Sequence, residues 1–555
     1  MFATKPASRL FTVLFKLMTV LALLLTSALV VKPAHASGTI TVTTGADNQT
    51  TDGLCSLREA INNANDDIQD SPDCPAGSGN DTIVFANGIT SIILGQGLPT
   101  ITSSDGLTID GGSQVSINGN HATYGMAVNP FAALTLQNIS LTNMLGALSN
   151  EGTLNITNST FSANSSSADG GALANAQGGT ATVTGSTFRG NSATSSGGAI
   201  ANFGTITIAN STFAKNTSNY GGGLINNTGT AMILNSTFSG NGATTAGGAV
   251  FTRNGAGAPT TTIRNTILAN SSAGGDCSND VAGTLSGSNN IIESTSSCAG
   301  IASISADPKL AALSGSPAYF RLLPASPAID AGDDLICASP QVNDTSQNGA
   351  KRPQGAYCDI GSYELPLTTL SFRSAGAQDG WILESSENSS VGGTLNAIAT
   401  SFNLGDDAAN RQYRAILDFN TSALPDTAVV IKATLKIKGQ GLVGTNPFGS
   451  HGGLRVDIRK PFFDTSPGLQ LTDFQAAADA TGVATFGSVP ASSWYAAALN
   501  ASGRSFVNLT GATQFRLRFA LDDNNDHIAD YMRFYSGNFA MAASRPTLVI
   551  EYYLP

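Results

Sequence analysis

Asn158-Ser159-Thr160-Phe161, Gly185-Ser186-Thr187-Phe188, Asn210-Ser211-Thr212-Phe213 and Asn235-Ser236-Thr237-Phe238 are copies of one phrase, followed by the looser Asn265-Thr266-Ile267-Leu268. A second phrase keeps step with it: Gly170-Gly171-Ala172, Gly197-Gly198-Ala199, Gly222-Gly223-Leu224 and Gly247-Gly248-Ala249. Successive Phe anchors lie 27, 25 and 25 residues apart. Self-similarity at such a period means stacked units, each in contact only with its neighbours.

Ahead of each anchor, apolar side chains alternate: Leu154 and Ile156, Ala181 and Val183, Ile206 and Ile208, Ala231 and Ile233. A period of two describes a short strand with one buried face. Glycine pairs then break the chain where the backbone turns sharply. A helical repeat needs apolar stripes at 3.6 spacing, and a leucine-rich repeat needs its Leu-x-x-Leu-x-Leu phrase; neither occurs. The expected fold class is therefore all-β, with a parallel β-helix of short strands through residues 131–275. Coils about 4.8 Å apart would stack equivalent side chains into columns. Two Asn columns are expected, one of Asn164, Asn191, Asn216 and Asn241, the other of Asn158, Asn210, Asn235 and Asn265. Their amides would bond from coil to coil, satisfying polar groups that are costly to bury. That structural role explains the many Asn-x-Ser/Thr triplets without glycosylation.

Residues 1–36 have the layout of a secretory signal: basic Lys5, Arg9 and Lys16, a largely apolar run from Leu17 to Val31, and Ala34-His35-Ala36 as a cleavage site. Removing them takes away four basic and no acidic residues, leaving 23 basic against 38 acidic, a net charge near −15. That balance argues against nucleic acid and anionic membranes as partners. No later run is a candidate membrane span. The expected localisation is extracellular, as a secreted or surface-associated protein. Six cysteines fall into local pairs, Cys55 with Cys74, Cys277 with Cys298 and Cys337 with Cys358. In an exported chain these spacings favour three disulfides, each contributing about 3 kcal/mol on the chain-entropy argument.

An open β-helix exposes strand edges at its ends, and these must be covered. Ser56 and Glu59 in Cys55-Ser56-Leu57-Arg58-Glu59-Ala60-Ile61 have capping-box spacing, so a helix is expected here. Leu57, Ala60, Ile61 and Ala64 would share the face laid on the first coil, with Arg58 and Glu59 in a solvated turn. This phrase resembles the CSLREA signature of exported, repeat-rich surface proteins. After the repeats, Ser326-Pro327-Ala328-Ile329-Asp330-Ala331-Gly332-Asp333, Arg352-Pro353-Gln354-Gly355 and Cys358-Asp359-Ile360-Gly361 resemble the choice-of-anchor segment that follows such helices. Together the resemblance covers roughly residues 38–365. It implies a right-handed parallel β-helix of pectate-lyase-like shape at the cell surface. Family members often end in an anchor, whereas Tyr552-Tyr553-Leu554-Pro555 carries no apolar tail or sorting signal.

Beyond Leu365 glycine thins out and strands alternate charged with apolar residues, as in Arg414 to Phe419, Ile431 to Ile437, Arg516 to Phe519 and Leu548 to Tyr552. Residues 366–555 are expected to form an antiparallel, jelly-roll-like β-sandwich. Asp379-Gly380-Trp381, Leu424-Pro425, Asp530 to Gly537 and Arg545-Pro546-Thr547-Leu548 make this part similar to a DNRLRE domain, which implies a module like those that bind carbohydrate. The domain plan is thus a signal (1–36), an N-terminal cap with first coils (37–130), repeats (131–275), last coils with an anchor-like cap (276–365) and the sandwich.

Trp381, Trp494 and Tyr495 are the candidate platform for a glycan, against burial in the sandwich core. Asp522, Asn524 and Asp526 place oxygens at alternate residues, with Asp530 four further on, which suits calcium as a cofactor. An EF-hand would carry Gly at His527 and an acid at Arg533, so a solvated turn competes with that reading. Residues 131–275 contain only Glu151, Asp169, Arg189, Lys215, Arg253 and Arg264 as charged side chains. No coil there supplies the two carboxylates that glycoside hydrolysis needs, nor the base beside clustered acids of a calcium-dependent lyase. Asp330, Asp333, Asp334, Asp344 and Asp359 are read as turn and helix-end caps. No catalytic residue is assigned. The expectation is an exported, non-catalytic rod, adhesin-like or a spacer, whose sandwich binds a polysaccharide. The alternative is a polysaccharide lyase or glycoside hydrolase with an appended binding module.

Overall fold

A computed structural model describes residues 38–253, 257–295, 298 and 300–554; the signal-like segment lies outside them. The chain is all-β, a parallel solenoid of about eight turns followed by a curled antiparallel sheet. The solenoid is walled by parallel sheets of ten, nine, seven and four strands. Each coil pairs in register with the next, so Phe161, Phe188, Phe213 and Phe238 stack in one column. Their ring centroids are 4.8, 4.8 and 4.2 Å apart, and the planes lie within 4° of parallel. The alternating residues Leu154, Ile156, Ala181, Val183, Ile206 and Ile208 face the same core. A fully buried side chain of the larger aliphatic kind contributes about 1.5–3 kcal/mol.

The first Asn column forms as expected. Asn164 donates to Asn191 at 3.0 Å, Asn191 to Asn216 at 2.9 Å and Asn216 to Asn241 at 2.9 Å. A further ladder, unforeseen in the sequence, runs Asn150, Asn175, Asn202 and Asn226 at 2.7, 2.7 and 2.8 Å. The second expected column differs. Asn158, Asn210, Asn235 and Asn265 take left-handed φ between 41° and 49°. In three of them the side chain reaches the segment after the repeats: Asn210 to the Val342 carbonyl, Asn235 to Cys337 Sγ and Asn265 to the Asp333 carbonyl.

That segment does not sit across the end of the solenoid; it runs as a strap along the flank. Thr187 Oγ1 donates to the Ala318 carbonyl at 2.6 Å, and Thr212 Oγ1 meets Gln347 Oε1 at 2.6 Å. Ser362 donates its N–H to Thr237 Oγ1 at 3.0 Å. Arg352, fully buried, holds the strap together through Glu364 at 2.9 Å and the carbonyls of Thr345, Asp359 and Gly361. Asp333 caps a short helix by accepting from Leu335 N–H at 2.9 Å, as read from the sequence.

At the other end the helix α1 (Leu57–Asp66) carries the full capping box, and Leu57, Ala60, Ile61 and Ala64 enter the solenoid core. The expected solvated turn is overturned. Arg58 is 4% exposed and forks onto Asp47 at 2.8–3.0 Å while donating to the carbonyls of Gln96 and Gly97. Glu59 is equally enclosed, accepting the Ser56 N–H at 2.9 Å. The preceding chain folds over this helix, so the pair locks the cap instead of facing water. All three cysteine pairs form the expected disulfides.

Beyond the strap, the two expected sandwich layers are a single sheet of twelve strands curled on itself. The strand Val429–Val443 makes the turn, pairing with Thr547–Tyr553 and Trp494–Ala498 on one layer and Asp530–Tyr535 on the other. Its register shifts between Gly439 and Gly441, where the strand passes between layers. Phe402, Phe419, Phe515, Phe519 and Phe534 fill the space enclosed.

Candidate functional site

The strand Trp494–Ala498 alternates its side chains across the sheet. Tyr495 consequently points inward, 7% exposed, stacked on Phe448 at 5.5 Å and edge-on to Phe534. It is a core residue and takes no part in a surface platform. Trp494 points the other way and is half-buried. Register places Lys438 directly opposite it and Lys436 two residues along. Their ammonium groups lie 5.6 Å (Lys436) and 5.9 Å (Lys438) from the indole centroid. Lys438 also approaches the Tyr535 ring at 5.9 Å and donates to Ser544 Oγ at 3.1 Å. Tyr535 in turn packs on Phe539 at 4.3 Å. Trp494, Lys436, Lys438, Tyr535 and Phe539 thus form one mixed aromatic and cationic patch. Only Trp494 stands out in the sequence, because the two lysines and Tyr535 join it through neighbouring strands and Phe539 through Tyr535.

Trp381 belongs to a different group. Its ring meets Tyr413 edge-on at 5.3 Å, and Tyr413 lies 5.4 Å from Tyr531. All three are half-buried, and Trp381 packs partly on the sandwich core.

The acidic loop is closed by its own hydrogen bonds. Asn524 donates to Asp526 at 2.9 Å and to Asp530 at 3.0 Å, while Asp526 accepts the Ile528 N–H at 2.7 Å. Asp530 is fully buried and takes the Thr445 N–H at 2.6 Å, whereas Asp522 and Asp526 are exposed. Among the described residues no three His, Cys, Asp or Glu side chains converge to hold a metal ion. Asn524, Asp526 and Asp530 thus share one hydrogen-bonded loop, with Asp522 exposed beside it. Burial of the neighbouring Asp523 raises its pKa, with Asp522 adding repulsion.

Three hollows mark the solenoid flank. A groove of about 620 Å³ crosses the four-stranded sheet and is lined by hydroxyls, among them Ser166, Ser192, Thr194 and Thr217, with Tyr124 at one end. Tyr124 also joins Asp169 in a hollow of about 370 Å³, in which Asp169 is the single carboxylate. A cleft of about 500 Å³ opens between the repeats and the strap, beside Arg189 and Lys215.

The most strongly shifted acids are structural. Burial pushes Asp359 up to about 7, reinforced by Glu364 and opposed by its backbone hydrogen bonds and Arg352. Burial does the same to Asp379, also to about 7, although the N–H groups of Asp418 and Gly537 each donate to it at 2.9 Å. Neither opens onto one of these surfaces.

The family described as the Chlamydia polymorphic membrane protein (Chlamydia_PMP) repeat matches residues 185–202 and 235–253, two of the stacked coils. No curated protein matches the chain. Among solved structures, the Dettilon tailspike protein (gp208) is 10% identical, with 79% of this chain and 87% of that chain covered at a TM-score of 0.18. So low a score carries no argument about this molecule. No helix among the described residues is long and apolar enough to cross a membrane. The coils themselves, with the partial repeat match, make this a β-helix repeat protein.

Proposed function

We propose that this protein is an exported, surface-associated β-helix rod that binds carbohydrate through its terminal sandwich. The carrying observation is the half-exposed Trp494 flanked by Lys436, Lys438 and Tyr535 on the outer face of the curled sheet. An aromatic ring offers apolar area to the C–H face of a sugar, and the ammonium groups donate to its oxygens. The solenoid, stiffened by in-register coils and Asn ladders, holds that patch away from the opposite end. The signal-like residues 1–36 support export, and the three disulfides are consistent with an oxidising compartment. Calcium at Asp522, Asn524, Asp526 and Asp530 belongs to the proposal on the spacing of their oxygens, the ion displacing the Asn524 hydrogen bonds as it binds. A glycan array probed with residues 37–555, with calcium and with EDTA, tests both parts. Selective binding lost in Trp494→Ala supports the patch, and loss in EDTA supports the ion. Equal signals for wild type and Trp494→Ala would remove the patch from the account.

A further inference from the structure

The strap's hairpin, Leu310–Gly315 with Ala318–Leu322, is bonded to the solenoid at Ala318 and leaves a cleft of about 500 Å³ beside it. Ala214, Leu313 and Phe320 give it an apolar floor, Arg189 and Lys215 supply two cations, and no carboxylate lines it. Both cationic side chains are exposed and have no ion-pair partner among the described residues. In a chain with 38 acidic and 27 basic residues, two neighbouring unpaired cations over an apolar floor form a local exception. Lys215 also occupies a left-handed turn, φ 55°, where the coils on either side place Gly190 and Gly240. Lysine adopts that conformation less readily than glycine. Its stem lies beside Gly240, where an added Cβ would come within 3.5 Å of Lys215 Cγ.

We propose that this cleft binds a segment of acidic polysaccharide, a chain carrying uronate carboxylates. Arg189 offers a planar fork matched to a carboxylate, and Lys215 offers a point charge one coil further on. The corresponding coils are 4.8 Å apart at Phe188 and Phe213, a rise comparable to one sugar unit along a chain. Successive carboxylates can therefore meet successive cations while a ring face packs on Phe320. This site lies on the solenoid and is independent of the sandwich patch.

Affinity electrophoresis of residues 37–555 through gels containing polygalacturonate, neutral galactan or dextran sulfate tests it. Wild type is expected to be retarded by polygalacturonate and not by galactan, with the retardation lost near ~0.5 M salt, where exposed charges are screened. The Arg189→Gln/Lys215→Gln variant, altered only at exposed side chains, is expected to lose at least about tenfold in affinity, the size of one lost charge-assisted contact. Trp494→Ala is expected to bind polygalacturonate as wild type does, which separates this site from the sandwich. No retardation of wild type, unchanged binding by the double variant, or loss in Trp494→Ala would overturn the proposal. Equal retardation by dextran sulfate would show general ion exchange and would overturn it as well.

Discussion

Asn164 donates its side-chain amide to Oδ1 of Asn191 at 3.0 Å, and the same oxygen takes the Asn164 backbone N–H at 3.1 Å. Asn191 passes the pattern on, donating to Asn216 and to the Phe161 carbonyl. Each amide therefore closes two coils at once, in a space without exposure to water.

Replacing Asn191 with Ala should strip acceptors from Asn164 and a donor from Phe161 together. A buried group left unsatisfied costs about 1–3 kcal/mol, so Asn191→Ala should lose roughly 2–5 kcal/mol in denaturant unfolding. Thr182→Ala, on the exposed face of the neighbouring sheet, should stay within about 0.5 kcal/mol. A loss below about 1 kcal/mol at Asn191 would mean that water replaces the amide.

Phe213 is sandwiched between Phe188 and Phe238 at 4.8 and 4.2 Å. The register that fixes both neighbours prevents the column from collapsing around a gap. Phe213→Ala is expected to cost about 3–5 kcal/mol. The measurement is the midpoint of chemical unfolding at unchanged slope; a cost below about 2 kcal/mol would show that the coils can close up.

The Phe column and the first Asn ladder were legible because each position recurs with the coil and nothing competes for it. The Asn150 ladder was equally present, in Leu148-Ser149-Asn150, Leu173-Ala174-Asn175, Ile200-Ala201-Asn202 and Leu224-Ile225-Asn226. It escaped because a third phrase per coil is masked by the two louder ones. The role of Asn210, Asn235 and Asn265 was not legible. Their left-handed turns aim the amides outward, at a strap lying 68 to 132 residues further on. Repetition reports contacts between adjacent coils and is silent on a non-repeating segment laid across them. The same limit hid the lysines beside Trp494 and the Asp47 partner that encloses Arg58.

Arg352 makes a prediction about the strap. It is fully buried, paired with Glu364 at 2.9 Å and bonded to three carbonyls of the same segment. Removing one member of a buried ion pair leaves its partner's charge enclosed and typically costs about 3–5 kcal/mol. Arg352→Met should loosen the strap before the coils beneath it. Limited proteolysis should then cut within residues 318–362 while the repeats stay intact; an unchanged digestion pattern would contradict this.

Acidification should stabilise the protein between about pH 7 and pH 4. Asp359 and Asp379 are pushed up to about 7 in the folded chain, both chiefly by burial, against an ordinary value of 3.8. Asp473 is raised to about 6 for the same reason. Between the two values the folded state holds protons that the unfolded state has released. Stability therefore falls as pH rises through this window and levels off above it. Asp110 and Asp407 act oppositely, because hydrogen bonds hold their pKa values down, but that stabilisation is lost only below about pH 4. The melting midpoint of residues 37–555 should accordingly be higher at pH 5 than at pH 7.5, at constant ionic strength. Asp379→Asn removes one of the three groups and should flatten the slope, even though the two backbone N–H donors facing it make the variant less stable overall. A midpoint that drops on going from pH 7.5 to pH 5 would show that these carboxyls are ionised when folded, and that burial does not govern them.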